Sequence, residues 1–176
     1  MSALNKIEKG QLRNLLGKGW LTHDGMWFYH TYHQLGIEKA NSLNRAAIRS
    51  LAPIEINRVK HVLGIGPEKI ETLEALEDFM TAALEIILPD SVFEKFHFQT
   101  SSNDLMHWKW ESGECFAFKG MQQIGIVDGY RCGVIYRIEC WLDALGISYS
   151  TTPQIDKCIM PEKGECSGHI RLNFCN

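Results

Sequence analysis

PDSVFEKFHFQTSSNDLMHWKWESGE, residues 89–114, is where the chain changes its period. Phe93, Lys95, His97 and Gln99 alternate with Glu94, Phe96, Phe98 and Thr100, the period of two that sends neighbouring side chains to opposite faces of a strand. SSND supplies turn chemistry, and DLMHWKWESGE alternates again, with Trp108 and Trp110 on one face and His107 on the other. The stretch therefore predicts a β-hairpin.

Upstream of Pro89 the apolar residues recur at helical spacing. Leu12, Leu15 and Leu16, followed by Gly19-Trp20, predict an amphipathic opening helix. Thr22 or Asp24 can cap a second helix carrying Trp27, Phe28, Tyr32 and Leu35, with Gly36 as its stop. A third runs from Ile37 to about Leu51, is broken or restarted by Pro53, and continues through Ile54, Ile56, Val59, Val62 and Leu63. Pro67 is read as opening a long helix with Ile70, Leu73, Leu76, Phe79, Met80, Ala83 and Ile87 on one face.

Downstream of the hairpin, helical spacing returns from about Tyr130 and stops at Gly146. ISYSTTPQIDKCIM and SGHIRLNF then read as two further strands. The expected fold is α+β: a helical N-terminal half, then an antiparallel sheet of about four strands with one inserted helix. We read residues 1–176 as a single domain, with 1–89 the helical half and 90–176 the cysteine-rich sheet half.

With 176 residues, 45% hydrophobic and 22% charged, the composition is that of a globular chain. A net charge of −3 and the lack of a basic stripe argue against a nucleic-acid partner. No apolar run reaches the roughly 18–20 residues of a membrane span. The N-terminus has scattered charges and no apolar signal core. The expected setting is cytoplasmic, without a membrane partner, and the chain is compatible with a homodimer.

All six cysteines fall in the last 62 positions. Four follow the spacing Cys115-x16-Cys132-x25-Cys158-x7-Cys166, and each is placed by this reading at the end of an element, where backbones converge. Thiolates are soft, charged donors that suit zinc or an iron–sulfur cluster, and reducing compartments disfavour disulfides. Buried free thiols are the alternative reading of the same spacing. Cys140, between apolar neighbours in a helix, reads as a small core residue, and Cys175 as a bystander.

YRCGVIYRIECWLDALG (130–146) and QIDKCIMPEKGECSGHIRLNF (154–174) resemble the C-terminal part of the 4-vinyl reductase domain superfamily, whose members are small-molecule sensors. The resemblance implies a zinc site in which Cys132, Cys158 and Cys166 take the family's three cysteine positions. The family's acidic ligand position is matched here by Ile155, with Asp156 beside it, so Asp156 or Cys115 is left as the fourth ligand. A second resemblance spans nearly the whole chain. GWLTHDGMWF (19–28), PIEINRVKHVLGI (53–65) and the spaced cysteines are similar to cytosolic proteins of anaerobic bacteria and archaea grouped with L-2-amino-thiazoline-4-carboxylic acid hydrolase. It implies a four-cysteine site, with an iron–sulfur cluster as the rival to zinc.

Other groups have plainer readings. His23, Trp27 and His30 share a helical face and either edge a core or stand at the mouth of a pocket with Asp24. Glu55 is read as the helical partner of Arg58, with a general base as the alternative. Glu139 and Asp143 read as a solvated face. No phosphate loop, GxGxxG or serine elbow is present. The expectation is a binding protein: a structural thiolate metal site at Cys115, Cys132, Cys158 and Cys166, and a small organic ligand held by His23, Asp24, Trp27, His30 and Trp108. The alternative is a hydrolase of a small cyclic C–N or C–S substrate, using an open metal position or a free cysteine nucleophile.

Overall fold

Two long helices open the fold. The computed structural model describes residues 2–66, 70–101 and 104–174. After a 3-10 turn at Ala3–Lys6, helix α1 runs unbroken over Lys9–Leu35, where two helices were expected. Gln11 accepts a bond from the Glu8 amide at its start, and Gly36, at φ 80°, ends it. Gly19 and Gly25 lower helix propensity but do not break the helix. Gly17 is different: a Cβ there would lie 3.0 Å from Pro89 Cδ, so the glycine admits a close helix approach. Nothing lies within 4 Å of a Cβ at Gly19 or Gly25. Gly19→Ala and Gly25→Ala should each stabilise the protein by about 0.5–1 kcal/mol in denaturant melts, and Gly17→Ala should not.

Helix α2 covers Ile37–Leu63 and contains Pro53 without a break, against the sequence expectation. The proline forfeits one backbone bond, and packing of the buried face formed by Ala52, Ile56 and Val59 outweighs that loss. Helix α3, Leu73–Ile87, starts at the Thr72 cap, whose hydroxyl accepts from the Ala75 amide. Pro67 lies outside the described residues. A single turn, α4 at Asp90–Phe93, leads into the hairpin.

The hairpin forms as the alternation requires: β1 at Phe96–Ser101 and β2 at Leu105–Trp110, antiparallel. Then come α5 (Phe116–Gln123), unforeseen in the sequence, a 3-10 turn at Val127–Gly129, and α6 (Gly133–Leu145). Strand β3 (Ser148–Thr152), the short α7 (Met160–Lys163) and β4 (Cys166–Asn173) complete the chain. The strand expected through residue 160 stops at Thr152, before a cis Pro153. The four strands form one antiparallel sheet in the order β1-β2-β4-β3. The fold is therefore the α+β arrangement read from the sequence, with more helices in its second half.

Met106, Trp108 and Trp110 of β2, with Ile170 and Leu172 of β4, face inward onto one core with Phe79 of α3 and Trp141 of α6. His107 and Lys109 face out. Trp108 is paired in register with Gly168, and a Cβ at Gly168 would sit 1.6 Å from the Trp108 ring and 2.6 Å from the Thr152 carbonyl. Gly168→Ala should therefore cost about 2–3 kcal/mol, because ring or strand must shift within a close-packed core. Urea melting of that variant provides the check.

Candidate functional site

Helices α2 and α6 are tied together by polar side chains. The buried Asn41 donates to the Gly129 carbonyl (2.8 Å) and accepts from the Arg131 amide (3.0 Å), fixing the turn that delivers α6. Arg45 stacks 4.2 Å over the Tyr136 ring. Glu55 takes both arms of Arg137, Nε at 3.0 Å and Nη2 closer, and also accepts from Trp141 Nε1 at 2.7 Å. Both charged side chains are largely out of water, 12% and 17% exposed. This corrects the Arg58 pairing: i, i+3 spacing on α2 gives way to a partner 82 residues away. Glu139, read as solvated, is half-buried and accepts from Thr151 at 2.8 Å, and burial raises its pKa.

The segment after β3 doubles back along residues 130–132. The Cys132 amide donates to the Asp156 carbonyl (2.9 Å), the Cys158 amide to the Tyr130 carbonyl (3.4 Å), and Arg131 bridges Lys157. Cys115 occupies the position just before α5, Cys132 the position just before α6, and Cys166 begins β4 opposite Trp110. The four cysteines consequently line one small buried cavity of about 10 Å³, the scale of a single water or ion. Ile155 lies in its wall. Asp156 does not: its carboxylate is held by Arg45 at 2.9 Å, with Arg131 at 3.9 Å. Among the described residues, no three His, Cys, Asp or Glu side chains stand at metal-holding spacing. Cys140 is buried in α6, and Cys175 lies outside the described residues.

Burial disfavours the thiolate form of these cysteines. Burial pushes Cys132 up to about 11 and Cys166 up to about 12, with neighbouring cysteines adding to the rise. Burial also raises Cys115 and Cys158. Opposing this, amides of Ala117 and Phe118 approach the Cys115 sulfur, and those of Val134 and Ile135 approach the Cys132 sulfur. Such donors at helix starts favour a thiolate. The Trp108 indole N–H lacks a partner of good geometry, yet lies close enough to favour ionisation of Cys166. Four sulfur donors of this kind are chemically suited to a soft cation, whose positive charge would favour the thiolate form.

A larger cavity, about 80 Å³, lies across a wall formed by Trp110, Tyr130 and Val134, which line both spaces. It sits where the helical half meets the sheet. Trp20 of α1, Trp110 of β2 and Trp141 of α6 give it aromatic faces, and Asp24, Asn44 and Arg137 its polar atoms. The Arg137 guanidinium lies 4.5 Å from the Trp20 ring and 5.8 Å from the Trp141 ring.

The predicted ligand residues are distributed otherwise. Asp24 lines this cavity. His23, Trp27 and Phe28, with Asp24 again, line a shallow groove between α1 and α2. Trp27 is 64% exposed and donates to His23 Nε2 at 3.2 Å. His30 is exposed and packs edge-on to Tyr29. Trp108 is core, 2% exposed. The helical period placed His23 and Trp27 on one face correctly but could not say that this face is wet. Trp20, Trp141 and Arg137 escaped notice because their meeting depends on how α1 and α6 cross. Trp20's place directly after a glycine, on a helix otherwise split in the reading, hid it further.

No curated protein and no solved structure matches the chain. One family model does, over residues 3–107, which includes α1 to α3, β1, Trp20, Asp24 and Glu55 and ends before the first cysteine. As that match covers more than half of the sequence, the chain belongs to the Family of unknown function (DUF6125).

Proposed function

We propose that this protein binds a small organic molecule in its aromatic cavity and holds its C-terminal half together with one metal centre on Cys115, Cys132, Cys158 and Cys166. The observation that carries the metal reading is the convergence on one ion-sized buried space of four cysteines spread over 52 residues of sequence. Cys115 is preferred to Asp156 as fourth ligand, since Asp156 is engaged by Arg45. Zinc is the favoured metal and an iron–sulfur cluster the alternative. The thiols are not at ligating spacing, so binding requires them to turn inward as they lose their protons, the usual coupling of metal uptake to folding.

The cavity supports binding more than catalysis. Its cationic group, Arg137, is already committed to Glu55, and its walls are mainly aromatic and aliphatic. The test is elemental analysis and an absorption spectrum of anaerobically purified protein. About one zinc per chain without visible bands is expected. Stoichiometric iron with sulfide and charge-transfer bands replaces zinc by a cluster. Metal-free protein whose four thiols all react with a thiol reagent overturns the metal reading.

A further inference from the structure

The aromatic cavity has a defined mouth and a defined charge. Among the described residues that line it, Asp24 is the exposed one. The others are buried or half-buried, so the opening to solvent is at Asp24. Two charged groups line the space. Arg137 is neutralised by the bidentate Glu55 bond. Asp24 has no hydrogen bond and no ion pair among the described residues. Its carboxyl is nonetheless partly desolvated, and that loss of water raises its pKa, with Arg137 and His23 acting more weakly in the other direction. His23 Nε2 is engaged by the Trp27 indole N–H at 3.2 Å, and no His23–Asp24 ion pair is present among the described residues. The site therefore has one carboxylate at its mouth with neither hydrogen-bond nor ion-pair partner among the described residues.

A cation with an apolar body satisfies both halves of this arrangement. Its charge pairs with the unpartnered Asp24 carboxylate, and its body packs against the indole rings of Trp20, Trp110 and Trp141. A carboxylate ligand meets the reverse situation: Asp24 repels it at the mouth, and the guanidinium inside is already paired. We propose that the cavity selects a compact organic cation, an amine bearing one ring or a short apolar chain, with Asp24 as its counter-ion. The volume of about 80 Å³ limits the enclosed part to about one small ring, so the ammonium stays at the rim beside Asp24. This rests on the small-molecule reading of the cavity and adds the charge class of its occupant.

Three matched probes decide it: phenethylamine, phenethyl alcohol and 3-phenylpropionate, titrated into the full chain by calorimetry with tryptophan fluorescence as second readout. Phenethylamine should bind about ten-fold or more tightly than the alcohol, and phenylpropionate more weakly than either. Asp24→Asn, at an exposed position, should bring the amine down to the level of the alcohol and leave the alcohol unchanged. Val62→Ala, at an exposed position away from the cavity, should alter none of the three. Equal binding of amine and alcohol, preference for the acid, or an amine preference that survives Asp24→Asn overturns the cation assignment while leaving a small-molecule pocket in place. Failure of all three probes at millimolar concentration overturns the pocket reading itself.

Discussion

Cys158→Ser should cost more than about 4 kcal/mol of stability, melting the C-terminal half before the rest. A structural metal bound by thiolates supplies on the order of 10 kcal/mol at neutral pH, comparable with the whole net stability of a domain. Removal of one ligand from the proposed four gives up much of that. Cys158 suits the test because it is the one half-exposed member of the four, so a serine hydroxyl there can reach water. Cys140→Ser is the control. It buries a hydroxyl in α6 away from the four-cysteine cavity and should cost about 1–3 kcal/mol, the ordinary penalty of an ill-paired polar group. Chelator treatment of the unaltered protein should reproduce the Cys158→Ser loss. Equal melting of Cys158→Ser and Cys140→Ser, with no response to chelator, removes the metal from the folding energetics.

Glu55→Ala should destabilise by about 3–5 kcal/mol, on quite different grounds. The carboxylate is 12% exposed, takes both arms of Arg137 and accepts the Trp141 indole N–H. Its removal strands a guanidinium between Trp20 and Trp141 and an indole donor beside it, neither with ready access to water. The cost comes from the uncompensated charge rather than from the net worth of the pair. The double variant Glu55→Leu with Arg137→Met, apolar at both positions, should therefore recover most of the loss. Thermal melts of the single and double variants form the cycle. A double variant as unstable as Glu55→Ala would show that the pair, and not the orphaned charge, holds α2 to α6.

The hairpin was legible in the sequence because its evidence is local. Phe96, Phe98, Trp108 and Trp110 alternate with polar residues, and the burial pattern reproduces that alternation. Local rules failed where tertiary packing outweighed a propensity. Pro53 and Gly19 are breakers in isolation, yet α1 and α2 continue through them. The cysteine spacing led to four residues that do line one cavity, although Cys158 lies in the loop after β3 rather than at the end of a strand and Cys115 precedes a helix that was not foreseen. The aromatic cavity could not be read the same way. Trp20, Trp110 and Trp141 lie on three elements separated by long stretches of chain, and periodicity says which face a residue occupies but not what that face meets. Trp27 illustrates the limit: a large aromatic on a good helix, and 64% exposed.

The ties between α2 and the later part of the chain have a consequence for how the molecule is made. Asn41 waits for a partner 88 residues downstream, Glu55 for one 82 downstream and Arg45 for one 111 downstream. On the ribosome, α1 to α3 emerge well before any of those partners. Until α6 and the returning loop are synthesised, the faces of α2 that they will cover stay open to solvent and to other nascent chains. The helical half is synthesised first, and it is the arrival of the cysteine-bearing segment that covers its open faces.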